Sequence, residues 1–179
     1  GKTFRRTLEN KGDLIGGAVQ AKPTSEQYAL FRHYLDERHP TPPLVGATPQ
    51  ERALTRQWQR RVELNITENI HNAFHFAEGL RRFEKRIPVA PEAAPGLKRI
   101  AQDRLAWLDA MMAGHTFLVG ERFTIADIWL YVWLDFAISV GQPFDRALPV
   151  LTPWFDRIAA RPSAAASLHR DWQKVGVRG

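Results

Sequence analysis

Two histidines and two glutamates carry the most chemistry that residue spacing offers in this sequence. Glu68, His71, His75 and Glu78 fall at i, i+3, i+7 and i+10. At about 100° per residue they share one helical face, roughly opposite a stripe of Ile66, Ile70 and Ala73. Histidines one turn apart with carboxylates nearby have the ligand types for a divalent cation. The same pattern also suits a polar face toward solvent, a cleft or a dimer partner. No distant third ligand is implied, so no metal is expected. An imidazole can also serve as general acid or base. Thr124 and Asp127 could pass for catalytic residues, but their spacing is that of a capping box with Asp in place of Glu or Gln. Thr124 would cap an orphan N–H, and Asp127 would favour the positive helix end. Tyr131 and Asp135 continue that polar line and read as satisfied core groups. With no cysteine in the chain, a thiol nucleophile, a thiolate zinc site, an iron–sulfur cluster and a disulfide scaffold are excluded.

The elements that must position these groups are punctuated by proline and capping residues. Pro23-Thr24-Ser25-Glu26 opens a helix running to about Arg38, and the prolines at 40, 42 and 43 stop it. Thr48-Pro49-Gln50-Glu51 has the form of a capping box with proline in the first turn. The helix it starts could reach Arg86, which is long enough to require a bend or break. Its apolar stripe is Trp58, Val62, Ile66, Ile70, Ala73, Phe74, Ala77 and Leu80. Residues 87–95 read as a loop, and a further helix as roughly Gly96 to Met112 with Gly114 just past it. Beyond Thr124, apolar residues cover nearly the whole circumference of the next helix, which predicts burial on most sides. Thr152-Pro153 opens another, and Pro162 starts a last short one. The four tryptophans Trp107, Trp129, Trp133 and Trp154 are expected in the core, with an aromatic ligand platform as the lesser reading. Short strands around residues 3–8 and 14–19 are conceivable. From Pro23 onward the pattern is all-α, a helical bundle with a short N-terminal remnant of α/β character.

Composition narrows the class. The chain has 179 residues, 44% hydrophobic and 25% charged, with a net charge of +6. That length suits one domain, or one domain and a remnant. No apolar run approaches the roughly 18 residues of a membrane span, and Arg5-Arg6 is followed by no apolar stretch. The basic residues come in dispersed pairs with carboxylates between them, and no nucleic-acid reader motif is present. A cytoplasmic protein without nucleic-acid or membrane partners is expected.

Three segments resemble the glutathione transferase family. Phe117 to Asp127 looks like the signature of its C-terminal domain, a glycine-containing turn followed by a Thr/Ser-x-x-Asp box opening a buried helix. Tyr34-Leu35-Asp36-Glu37-Arg38-His39-Pro40 resembles the last helix and linker of the family's thioredoxin-like half. Pro153 to Ser163 resembles a late helix with an Arg-Pro-Ser ending. The resemblance implies residues 1–46 as a truncated or rebuilt thioredoxin-like segment and 47–179 as the helical domain. It implies glutathione as co-substrate and a small electrophile as its partner. Asn65, Glu68, His71, Asn72 and His75 would line the substrate cleft, and Gln27 would touch glutathione. Tyr28 stands where the family pattern has a serine, and no thiol-activating residue is identified. A homodimer is expected if an apolar face is left uncovered. Two other readings stay open: a non-catalytic helical module for protein interaction, and a ligand carrier or metal-binding protein.

Overall fold

Helix-starting chemistry near Thr24, Thr48 and Thr124 sets the architecture in the computed structural model. It describes residues 24–38 and 43–168, without the side chains of residues 32 and 35–38. The chain divides into two units, Gly1–Thr41 and Pro42–Gly179. In the first unit the described element is α1, Ser25–Arg38. Thr24 and Gln27 cap it reciprocally: each backbone N–H donates to the other's side chain at 3.1 Å. The conceivable strands at 3–8 and 14–19 lie outside the described residues.

The second unit is a helical bundle. Helix α2, Pro49–Val62, starts on the expected box: Thr48 Oγ1 accepts from Glu51 N–H, and Glu51 accepts from Thr48 N–H at 3.0 Å. Gly46 precedes it at φ +104°, where a Cβ would come within 2.6 Å of Glu51 Cβ, so both conformation and space select glycine. The required break is a π-helical turn, Glu63–Thr67, leading into α3, Glu68–Phe76. Such a turn inserts an extra residue and rotates the face that follows. Side chains stitch it: Asn65 Nδ2 donates to Arg61 O and Asn69 Nδ2 to Asn65 O, both at 2.8 Å.

After a distorted Ala77 comes a single turn, α4, Leu80–Phe83. Helix α5 spans Ala94–Met111 behind a 3-10 turn at Pro91–Ala93. It begins before the expected Gly96, because Pro95 occupies a first-turn position that needs no N–H. Helix α6 is Ile125–Ser139, α7 Leu151–Ala159 and α8 Pro162–Ala166. Trp58, Val62, Ile66, Leu105, Leu108, Leu130, Leu134 and Trp154 form one buried cluster between α2, α3, α5, α6 and α7. Arg122 Nη2 donates to Thr55 Oγ1 at 3.1 Å and so fastens the turn before α6 to α2.

Helix α7 starts one residue before Thr152, whose hydroxyl donates to Arg146 O instead of capping. The cap comes from α5. Buried Asp109 accepts the N–H groups of Val150 and Leu151 through Oδ1 at 2.9 and 2.7 Å. Asp109→Ala strands two donors and should cost about 2 kcal/mol, or roughly 4–8 °C in Tm. An unchanged calorimetric melting curve would contradict this assignment. Among the described residues, no helix is long and apolar enough to cross a membrane.

Candidate functional site

The apolar circumference of α6 has a consequence that burial alone does not satisfy. Leu130, Leu134 and Ala137 are buried, but Val132 is 44% exposed and Trp129, Trp133 and Phe136 are half-buried. This second arc faces a cavity of about 560 Å³, whose other walls are His71, Phe74 and His75 of α3, Phe83 of α4, and Ser167. Six rings make a closed circuit of contacts. Centroid distances are 4.1 Å for His71–His75, 4.0 Å for His75–Phe83 and 5.9 Å for Phe83–Phe74. They continue at 4.9 Å for Phe74–Phe136, 5.6 Å for Phe136–Trp133 and 5.0 Å for Trp133–His71. The edge-on pairs among them are the arrangement that aromatic quadrupoles favour. Trp129 joins the wall through its Nε1–H, which donates to Thr67 Oγ1 of the π-turn at 3.1 Å. A smaller cavity of about 390 Å³ adjoins, sharing Phe74, Phe83 and Phe136 and adding Glu78 and Arg82.

The structure gathers the sequence-derived candidates selectively. His71 and His75 enter the cavity wall together. Glu68 is exposed and acts on His71 only through its charge. Asn72 is exposed, and the Asn65 amide is engaged with the helix backbone. The Gln27 side chain caps α1. Glu78 is a strut, accepting from Lys98 of α5 and from Gln142 Nε2 after α6 at 2.8 Å. Among the described residues, no three His, Asp or Glu side chains are grouped to hold a metal ion. Thr124 caps Ala126 N–H at 3.2 Å, and Asp127 accepts Thr124 N–H at 2.8 Å, as the box requires. Tyr131 and Asp135 are buried and partnered.

Sequence reasoning missed Phe74, Phe83, Val132 and Phe136 as site residues, and for Trp129 and Trp133 it preferred the core to an aromatic ligand platform. Only Trp154 of the four tryptophans is fully enclosed. The signal was present in α6: a helix apolar on all sides needs a partner for each side.

Burial lowers the His71 pKa, against the opposing charge of Glu68, and burial together with His71 lowers that of His75. The unfolded chain therefore takes up these protons at higher pH than the fold does. Their contribution to stability is in place above the unfolded pKa and is lost as pH falls through the folded values. Burial raises Glu78, but Lys98, its own backbone N–H and Gln142 outweigh this and hold it below its usual range, so its contribution disappears later in the same direction. Melting temperature should fall on mild acidification, and a His71→Phe/His75→Phe variant should show a shallower fall. Equal slopes for the two proteins would refute this origin.

Residues 66–162 match the family description "Glutathione S-transferase, C-terminal domain". Over 151 residues the chain is 26% identical to glutathione S-transferase 2 of Saccharomyces cerevisiae, covering 84% of this chain and 63% of that protein. The chain thus spans less than two thirds of that relative's length. The crystal structure of a glutathione S-transferase domain-containing protein from Marinobacter aquaeolei VT8 superposes with a TM-score of 0.65 at 30% identity, covering 92% of this chain and 80% of that one. A stretch of 38 residues is 53% identical to the aspartate/glutamate leucyltransferase of Bradyrhizobium sp. (strain ORS 278), covering 21% of this chain and 15% of that enzyme; so short a match carries no functional reading. The matched residues include every wall of the α3–α6 cavity but Ser167, and the Thr124–Asp127 box, and the chain belongs to the glutathione S-transferase family.

Proposed function

We propose that the protein transfers glutathione to a small electrophile and that the α3–α6 cavity receives the acceptor. The observation that carries this reading is the aromatic cavity itself, in a domain of this family. Its volume lies within the range of small-molecule sites, and its wall is apolar apart from a few polar groups. The reaction would be attack of the glutathione thiolate on the acceptor's electrophilic carbon with loss of its leaving group. That chemistry depends on lowering the thiol pKa. In this reading residues 47–179 form the helical acceptor domain, residues 1–46 belong to the glutathione side, and the protein works as a cytoplasmic homodimer. Calorimetric titration of glutathione, followed by conjugation of a chlorinated dinitrobenzene, tests it. Saturable heat and glutathione-dependent product are expected.

A second reading is a non-catalytic helical module that binds a protein or ligand. Absence of glutathione heat from a demonstrably folded sample would select it.

A further inference from the structure

The ring circuit contains an inconsistency if its ligand is purely apolar. Among the described residues, neither the His71 nor the His75 imidazole has a hydrogen-bond partner, although both stand in the cavity wall against aromatic rings. Other polar groups of the wall are engaged: Ser167 Oγ donates to Ala164 O at 2.8 Å and Trp129 Nε1 to Thr67. A neutral imidazole carries one N–H donor and one bare acceptor nitrogen. Two of them side by side offer both to whatever enters.

We infer that the cavity selects hydroxyaromatic ligands of two or three fused rings, with the ring system against Trp133, Phe136 and Phe74 and the hydroxyl on the His71–His75 pair. This rests on the reading of the cavity as the acceptor site and narrows its substrate class to electrophiles that carry such a hydroxyaromatic group, the naphthols serving as binding probes. At about 560 Å³ the space is too large for one benzene ring to fill. The rings of Trp133, Phe136, Phe74 and Phe83 offer contact area and edge or face partners for a planar π-system. The hydroxyl donates to one imidazole nitrogen and can accept from the other ring's N–H. That pairing needs uncharged imidazoles, and the surroundings favour them. Helix α6 brings no titratable group to the wall. Glu68, one turn before His71, is exposed, while Glu78 is held by Lys98 and Gln142. Arg82 of α4 lines the neighbouring cavity. Burial lowers both imidazoles.

The test titrates 1-naphthol, 1-methoxynaphthalene and naphthalene into the 179-residue chain, read by tryptophan fluorescence. The hydroxyl should confer about 5–20-fold tighter binding than naphthalene. The methoxy compound, lacking the donor, should behave like naphthalene. In His71→Phe and His75→Phe the ratio of 1-naphthol to naphthalene affinity should shrink toward unity. A second readout needs no variant. In the unaltered protein, ¹⁵N resonances of the two imidazoles should shift with 1-naphthol and stay in place with naphthalene. Equal affinity for all three probes, or silent imidazoles, overturns the hydroxyl assignment while leaving the acceptor cavity intact. Failure of all three to bind up to their solubility overturns both.

Discussion

Asp127→Ala should lower stability by about 3–5 kcal/mol, or roughly 10–15 °C in Tm, the largest single-residue effect expected in this protein. Its carboxylate is fully enclosed and accepts four donors. Oδ1 takes Leu118 N–H at 2.9 Å and Trp154 Nε1–H at 3.0 Å; Oδ2 takes Thr124 N–H at 2.8 Å and its hydroxyl at 3.1 Å. One side chain thereby joins the turn before α6, the start of α6, and α7. Removing it leaves buried donors without water to replace it. Thr124→Ala, which deletes the cap on Ala126 N–H and one of the four donors to Asp127 but leaves the other three, should cost about 1–2 kcal/mol. Similar melting temperatures for the two variants would contradict the bridging role. Burial pushes the Asp127 carboxyl above its usual range, against the pull of the four donors. This group's pH-dependent contribution is in place below the unfolded pKa and is lost as pH rises through the folded one. Loss of stability on acidification therefore comes from the groups whose pKa the fold lowers, His71, His75, Glu78 and Glu51, the last held down by the N–H groups of Thr48 and Ala47.

Trp133→Ala should weaken binding of planar aromatic ligands by about 10–30-fold while moving Tm far less than Asp127→Ala does. Trp133 is half-buried and contacts His71, Trp129 and Phe136, so its truncation opens the ring circuit more than it hollows the core. Fluorescence of the remaining tryptophans under ligand titration, beside a thermal scan, separates the two effects. Intact affinity would mean that the ligand sits elsewhere.

Local chemistry was legible from the sequence. The Thr48–Glu51 and Thr124–Asp127 boxes, the start of α1 after Pro23, and the stripe from Trp58 to Ala73 depend on neighbours within a turn or two, and the structure has them. What was not legible depends on residues far apart. Asp109 caps a helix 41 positions away, and Trp154 reaches Asp127 across 27. The need for a break after Pro49 could be read from length, but its place at Glu63–Thr67 could not. That place is fixed partly by Trp129 docking on Thr67, a contact that no propensity encodes. The site divided along the same line. His71 and His75 were found by their spacing, whereas the rings around them come from α3, α4 and α6. Their meeting is a property of packing, and it turned two expected core tryptophans into a cavity wall.

The central claim is that the α3–α6 cavity receives the acceptor of a glutathione-linked reaction. A crystal structure of the chain with an S-(naphthylmethyl)glutathione conjugate tests it most directly. The account predicts the naphthyl group inside the ring circuit, against Trp133 and Phe136. A conjugate bound with its aromatic group outside that cavity would contradict it.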